Sequence, residues 1–100
     1  MLRHLLIMKF KPSTTSADLI VLRRAFQALP GQIAGCLSVE WGDNVSPEQL
    51  NKGFSSAVLM NFVDAAARDV YLPHPDHEAL KTVLVPLLDD IVVLDYEVLD

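Results

Sequence analysis

The chain has 100 residues, 51% of them hydrophobic, and a formal net charge of −5. That length predicts one domain over residues 1–100, and a pI near 4.9 argues against a binder of the phosphate backbone, which needs clustered Lys and Arg. A mean hydropathy of +0.29 with 21% charged residues is apolar for a monomer of this size, which buries only about two-thirds of its unfolded surface, so a partner, most simply a second copy, is expected to cover the rest.

Residues 2–11 alternate. His4, Leu6, Met8 and Phe10 share one face, and Arg3, Leu5, Ile7 and Lys9 the other. Apolar residues on both faces predict a central strand. The apolar run before Lys9 is too short for a signal peptide, and no run reaches membrane-spanning length. Pro12 and Ser13–Ser16 end the strand, and Thr15 with Asp18 three residues later is a weak capping box. Ala17–Leu29 then reads as a helix, with Leu19, Leu22, Phe26 and Leu29 as its apolar stripe. Pro30-Gly31 stops it.

Leu37–Gly42 reads as a short strand with Leu37, Val39 and Trp41 on one face. Asp43–Gly53 is a polar loop. Ser55–Phe62 is a third strand, with Ser56, Val58, Met60 and Phe62 on one side and Ala57, Leu59 and Asn61 on the other. Val63–Tyr71 predicts a short helix and Pro75–Leu88 another, which Pro86 should kink or restart. Ile91–Leu99 is the last strand. The opening of the chain is basic and its tail acidic, which suits pairing of the first and last strands. The order β-α-β-β-α-α-β gives an α+β, ferredoxin-like, four-stranded antiparallel sheet with helices on one face. Leu5, Ile7, Leu59 and Val93 are expected on the other face, which needs a lid. Two sheets packed face to face would supply it, as a homodimer.

The segment Tyr71–Leu80, YLPHPDHEAL, holds two of the three histidines. Pro75 suits the first helical position, where its missing N–H costs nothing. His77 then lies in the first turn, where the helix dipole disfavours imidazolium. A neutral imidazole beside a carbonyl compound is suited to act as a general base. Tyr71 could polarise the carbonyl, and His4, on the face of Leu6 and Met8, could orient substrate or His77. His74 reads as a helix-entry residue. Pro75 keeps His74 and His77 off one helical face and no third ligand is evident, so a zinc site is not expected. Cys36 has no basic neighbour to activate it. As a lone cysteine it fits a reducing compartment, and the expected location is cytoplasmic. No phosphate-binding or dinucleotide fingerprint occurs, so no cofactor is expected. Leu22, Phe26, Val58, Met60, Leu80 and Leu84 are chiefly core, and would be the apolar walls of any pocket. Ser56 and His74 complete its expected lining. Such a pocket suits a small apolar or aromatic ligand.

The stretches HLLIMKFKP, NVSPEQLNKGFSSAVLMNF, YLPHPDHEAL and VVLDYE resemble the stress-responsive α/β-barrel (Dabb) domain family from about Leu2 to Glu97. The resemblance implies a homodimer whose two sheets close a β-barrel with the helices outside. One plant branch of that family resembles cofactor-independent polyketide cyclases, and there the histidine matching His77 is the proposed base. Tyr71 and His4 match further pocket residues of that branch. The chain departs from it at Ser56, where those cyclases carry histidine, and at Phe26, where they carry tyrosine. Some family members hold a metal ion through backbone carbonyls, here around Pro30–Cys36. The expected functions are a small-molecule binding module or, alternatively, a cyclase, isomerase or lyase acting through His77. A dimer serving protein contacts alone is a third.

Overall fold

The computed structural model describes residues 1–99. Its elements are β1 (Leu2–Phe10), α1 (Ser16–Ala28), β2 (Cys36–Asp43), β3 (Ser56–Phe62), α2 (Ala65–Tyr71), α3 (Pro75–Leu84) and β4 (Leu88–Glu97). Single 3₁₀ turns follow α1 (Leu29–Gly31) and α3 (Val85–Leu87). The four strands form one antiparallel sheet in the order β2-β3-β1-β4. This is the α+β, ferredoxin-like arrangement that the order of elements predicts.

Local chemistry sets most of the boundaries. Thr15 accepts from the Asp18 N–H at 3.1 Å, and the Asp18 carboxylate accepts from the Thr15 N–H at 3.0 Å. This full capping box starts α1 one residue before the expected position. The carboxylate of Asp64 accepts from the Ala67 N–H at 2.9 Å, which starts α2 at Ala65 instead of Val63. Pro86 does restart the chain after α3, as the second residue of the 3₁₀ turn. β4 therefore begins at Leu88, three residues before the expected start.

The core lies between the sheet and the helices. Met8, Leu22, Phe26, Val58, Met60, Phe62 and Tyr71 are completely buried there. Met8, Val58 and Met60 come from the strand faces that alternation assigns to the core. Gly35 fixes the approach of α2 to this layer. Its φ is +84°, and a Cβ there would sit 2.6 Å from that of Ala67. Only glycine accommodates both the left-handed backbone and the close helix.

Two assignments of side-chain direction need correction. The β2–β3 register shifts between Cys36 and Ser38, so Leu37 is the extra residue of a bulge. Leu37 is exposed, while Cys36 takes the core position opposite Phe62. On β4, Val93 pairs with Leu6 and so lies on the helix side. The open face carries Val92 and Leu94 instead, opposite Ile7 and Leu5. β4 is apolar at both parities from Ile91 to Leu94, so its own pattern does not choose a face.

Candidate functional site

His4 is buried on β1, and the register places Asp95 of β4 directly opposite. His4 Nδ1 lies 2.5 Å from Asp95 Oδ1. Because the carboxylate accepts, Nδ1 carries the proton and donates it. The second Asp95 oxygen accepts from Arg68 Nη1 of α2 at 2.8 Å. Burial alone would raise the Asp95 carboxyl, but the hydrogen bonds from Arg68 and His4 outweigh that and hold it below its ordinary range. Asp95 is therefore an ionised anchor for the His4 ring.

Tyr71 ends α2 and packs against both neighbouring imidazoles. Its ring centroid is 5.9 Å from that of His4 and 4.3 Å from that of His77. Phe62 closes the same cluster, 5.2 Å from Tyr71. Tyr71 is wholly buried, and its Oη has no hydrogen-bond partner among the described residues. Burial, with a smaller effect of the nearby Cys36 thiol, pushes the Tyr71 hydroxyl well above its ordinary range. It stays protonated and remains a donor. Burial also pushes the Cys36 thiol up, so this cysteine is no nucleophile.

His77 sits in the first turn of α3, as the HPDH spacing predicts. Its Nδ1 is 2.7 Å from the Leu72 carbonyl. A carbonyl only accepts, so Nδ1 holds the proton and Nε2 presents a lone pair. Burial lowers the pKa of His77. The Leu72 carbonyl opposes that shift, and Lys81 adds to it. The expected direction is present, with burial as its leading cause. The outcome is a neutral imidazole near pH 7 with its basic nitrogen defined.

His74 is set apart from this cluster. It is the N-cap of α3, and its Nδ1 accepts the Asp76 N–H at 3.0 Å. Ser56 belongs to a second polar group. Its hydroxyl donates to Asp43 Oδ1 at 2.8 Å, and Trp41 Nε1 donates to the same oxygen at 3.0 Å. These two hydrogen bonds outweigh burial and hold the Asp43 carboxyl below its ordinary range. Ser56 lies four residues along β3 from Met60, the partner of His4, a separation of about 13 Å. Phe26 packs toward that far group, 6.1 Å from Trp41. Val58 and Met60 occupy the intervening strand face, and Leu22, Leu80 and Leu84 lie in the same buried cluster.

Among the described residues, no cluster of three His, Cys, Asp or Glu side chains is placed to hold a metal ion. The 30–36 segment contains no acidic side chain. The Ile33 and Gly35 carbonyls already accept the Cys36 and Val63 N–H groups.

Asp95 and Arg68 are the site residues that sequence reasoning missed. The available signal was an acid inside the apolar run VVLDYE, a position that demands a partner.

Comparison with known proteins agrees with this architecture. The chain is 27% identical over 95 residues to the stress-response A/B barrel domain-containing protein HS1 of Arabidopsis thaliana, covering 95% of this chain and 87% of that protein. It is 24% identical over 94 residues to olivetolic acid cyclase of Cannabis sativa, covering 94% and 93% respectively. A crystal structure from Arabidopsis thaliana superposes with a TM-score of 0.94 at 26% identity, covering 100% of this chain and 97% of that one. A dimeric ferredoxin-like protein of unknown function from Jannaschia superposes with a TM-score of 0.86 at 27% identity, covering 97% and 98%. A family model, that of the Stress responsive A/B Barrel Domain, matches residues 2–98, and the chain belongs to that family.

Proposed function

We propose that the chain binds a small apolar or aromatic carbonyl compound at His4, Tyr71 and His77. The observation that carries this reading is the Tyr71 hydroxyl, wholly buried and without a partner among the described residues. A buried donor left unsatisfied costs about 1–3 kcal/mol. A ligand oxygen placed against it removes that cost. The apolar walls would come from Leu22, Phe26, Val58, Met60, Leu80 and Leu84, in the same buried cluster as Tyr71. The similarity to olivetolic acid cyclase supports a ligand with this chemistry. A homodimer through the open sheet faces is part of the reading, supported by the dimeric Jannaschia relative.

The state of His77 favours a second reading, a cofactor-independent enzyme. Its Nε2 lone pair would take a proton from the carbon next to the carbonyl. The electron pair of that C–H bond moves onto the carbonyl oxygen, giving an enolate that the Tyr71 O–H stabilises. His4, fixed by Asp95, orients the ligand. No metal or redox partner enters the balance.

Thermal-shift measurements with small phenols, β-diketones and short polyketide-like acids test the first reading. A binder at a hundred times its Kd adds about 2.7 kcal/mol, roughly 11–20 °C of melting temperature for a domain of this size. Tyr71→Phe and His77→Ala should lose most of that shift. Equal shifts in all three proteins would remove the ligand from this site. Exchange of the ligand's α-hydrogen in D₂O, followed by NMR, tests the second. It should occur with the wild type and stop in His77→Ala.

A further inference from the structure

The three rings of the candidate site come from two separate pieces of the fold. His4 belongs to the β1–β4 pair, where the register sets Asp95 opposite it and the carboxylate holds its Nδ1. Tyr71 and His77 belong to the junction of α2 and α3. The Tyr71 carbonyl accepts the His74 N–H at 3.0 Å, and the Leu72 carbonyl accepts from His77 Nδ1 at 2.7 Å. Both bonds join the end of α2 to the start of α3 across Pro73. Tyr71 and His77 therefore move together, at a ring separation of 4.3 Å. The junction is packed over the other half of the sheet. α2 lies chiefly against β2 and β3, and Tyr71 packs on Phe62 of β3 at 5.2 Å. Apolar contact is non-directional, so a polar link must supply the direction toward His4 that this packing lacks.

One residue joins the two pieces. Arg68 lies one helical turn before Tyr71 on α2, so the two side chains share a face. Its Nη1 donates to Asp95 Oδ2 at 2.8 Å, while Asp95 Oδ1 holds His4. Its carbonyl accepts the Leu72 N–H at 3.1 Å, and Leu72 carries the carbonyl that holds His77. A tether to each imidazole thus starts from Arg68, one through its side chain and one through its backbone. The guanidinium is also held from its other side, where Nε donates to Asp69 at 2.9 Å. A planar fork bonded at both ends has a fixed orientation. Arg68 and Asp95 are each only 23% exposed, so water competes less for this pair than for a surface ion pair.

We infer that Arg68 is a positioning residue, and that its bond to Asp95 is the strut that sets the Tyr71–His77 pair at its distance from His4. Its purpose rests on the ligand reading. A carbonyl compound held by the Tyr71 hydroxyl meets His4 and His77 together only when the two pieces are aligned. Arg68 need not touch the ligand. It acts through Asp95 and Leu72.

Proton NMR on the ligand-free protein tests the strut. In the wild type, nuclear Overhauser contacts should join the Tyr71 ring to His4 and to His77. Arg68→Met keeps an unbranched stem and removes the donors. It should lose the Tyr71–His4 contact and keep the Tyr71–His77 contact. Asp95→Asn cuts the same link from the strand side. Its amide oxygen still accepts from His4, but its amide nitrogen cannot accept from Arg68. It should give the same split, and it replaces Arg68→Met if that variant does not fold. Arg68→Lys returns one donor to Asp95 and should recover the contact. Asp69→Asn, at a side chain 64% exposed, should change neither contact. A Tyr71–His4 contact that is absent from the wild type, or that survives both Arg68→Met and Asp95→Asn, overturns the inference. So does the loss of both ring contacts together, which would make Arg68 a general support of the helix layer. The measurement uses no ligand, so it can fail while the binding reading stands, and thermal shifts decide that reading separately.

Discussion

The two faces of the sheet are built from the same strands by the same alternation, yet they are finished differently. On the helix side, Met8, Val58, Met60 and Phe62 are wholly buried under α1, α2 and α3. On the open side, Leu5, Ile7 and Leu59 are only half-buried, and Val92 and Leu94 are exposed. The first face is completed by its own chain, and its stability is intramolecular. The second is apolar and left open by the described residues, and in the proposed homodimer its energetics would depend on concentration. The polar groups divide in the same way. His4, Asp95 and Tyr71 sit on the finished face, where burial pushes the Tyr71 hydroxyl up and hydrogen bonds hold the Asp95 carboxyl down, whereas Arg3 and Lys9 flank the unfinished one.

This contrast can be broken at three depths. Phe26→Ala removes a wholly buried ring from the finished face and should cost about 3–5 kcal/mol, read from denaturant midpoints. A loss below 1 kcal/mol would mean that the helix side is not close-packed. Leu5→Glu places a charge in the centre of the open face. It should weaken self-association at least about 30-fold, equivalent to ~2 kcal/mol, in sedimentation equilibrium. The fold, followed by circular dichroism, should persist. Unchanged association would take the interface off this face. The smallest effect belongs to Val93→Thr. Val93 faces the helix side but is 54% exposed, so both stability and association should stay within about 0.5 kcal/mol. Val92→Thr, one residue away on the open face, should still weaken association measurably. If the two valines respond alike, the assigned parity of β4 is wrong.

The sequence carried what is local. Alternation in β1 and β3 gave both faces correctly. Thr15 and Asp18 marked a helix start, and HPDH placed His77 in a first turn. Register was not legible. The His4–Asp95 pair spans 91 residues, and nothing near either residue names the other. The same gap misplaced Val93, whose neighbours on β4 are apolar at both parities. Alternation puts Leu37 on the face of Val39 and Trp41 because a bulge has no compositional mark. The clustering of Tyr71 with His77 could be expected, but the confinement of Ser56 to a separate group with Asp43 and Trp41 depended on the β2–β3 pairing.

The adjacency of β1 and β4 bears on how the molecule comes into being. Bringing His4 to Asp95 closes a loop of 91 residues, which costs about 4 kcal/mol of chain entropy beyond a constant. Contacts of such long separation slow folding. During synthesis, β1, β3 and the three helices leave the ribosome before β4 does. A nascent chain lacking Leu88–Glu97 has an unpaired edge on β1 and no carboxylate to orient His4. The His4–Asp95 pair therefore assembles only when translation has delivered the final strand, and a chain stalled before Asp95 holds His77 and Tyr71 without the anchored imidazole opposite them.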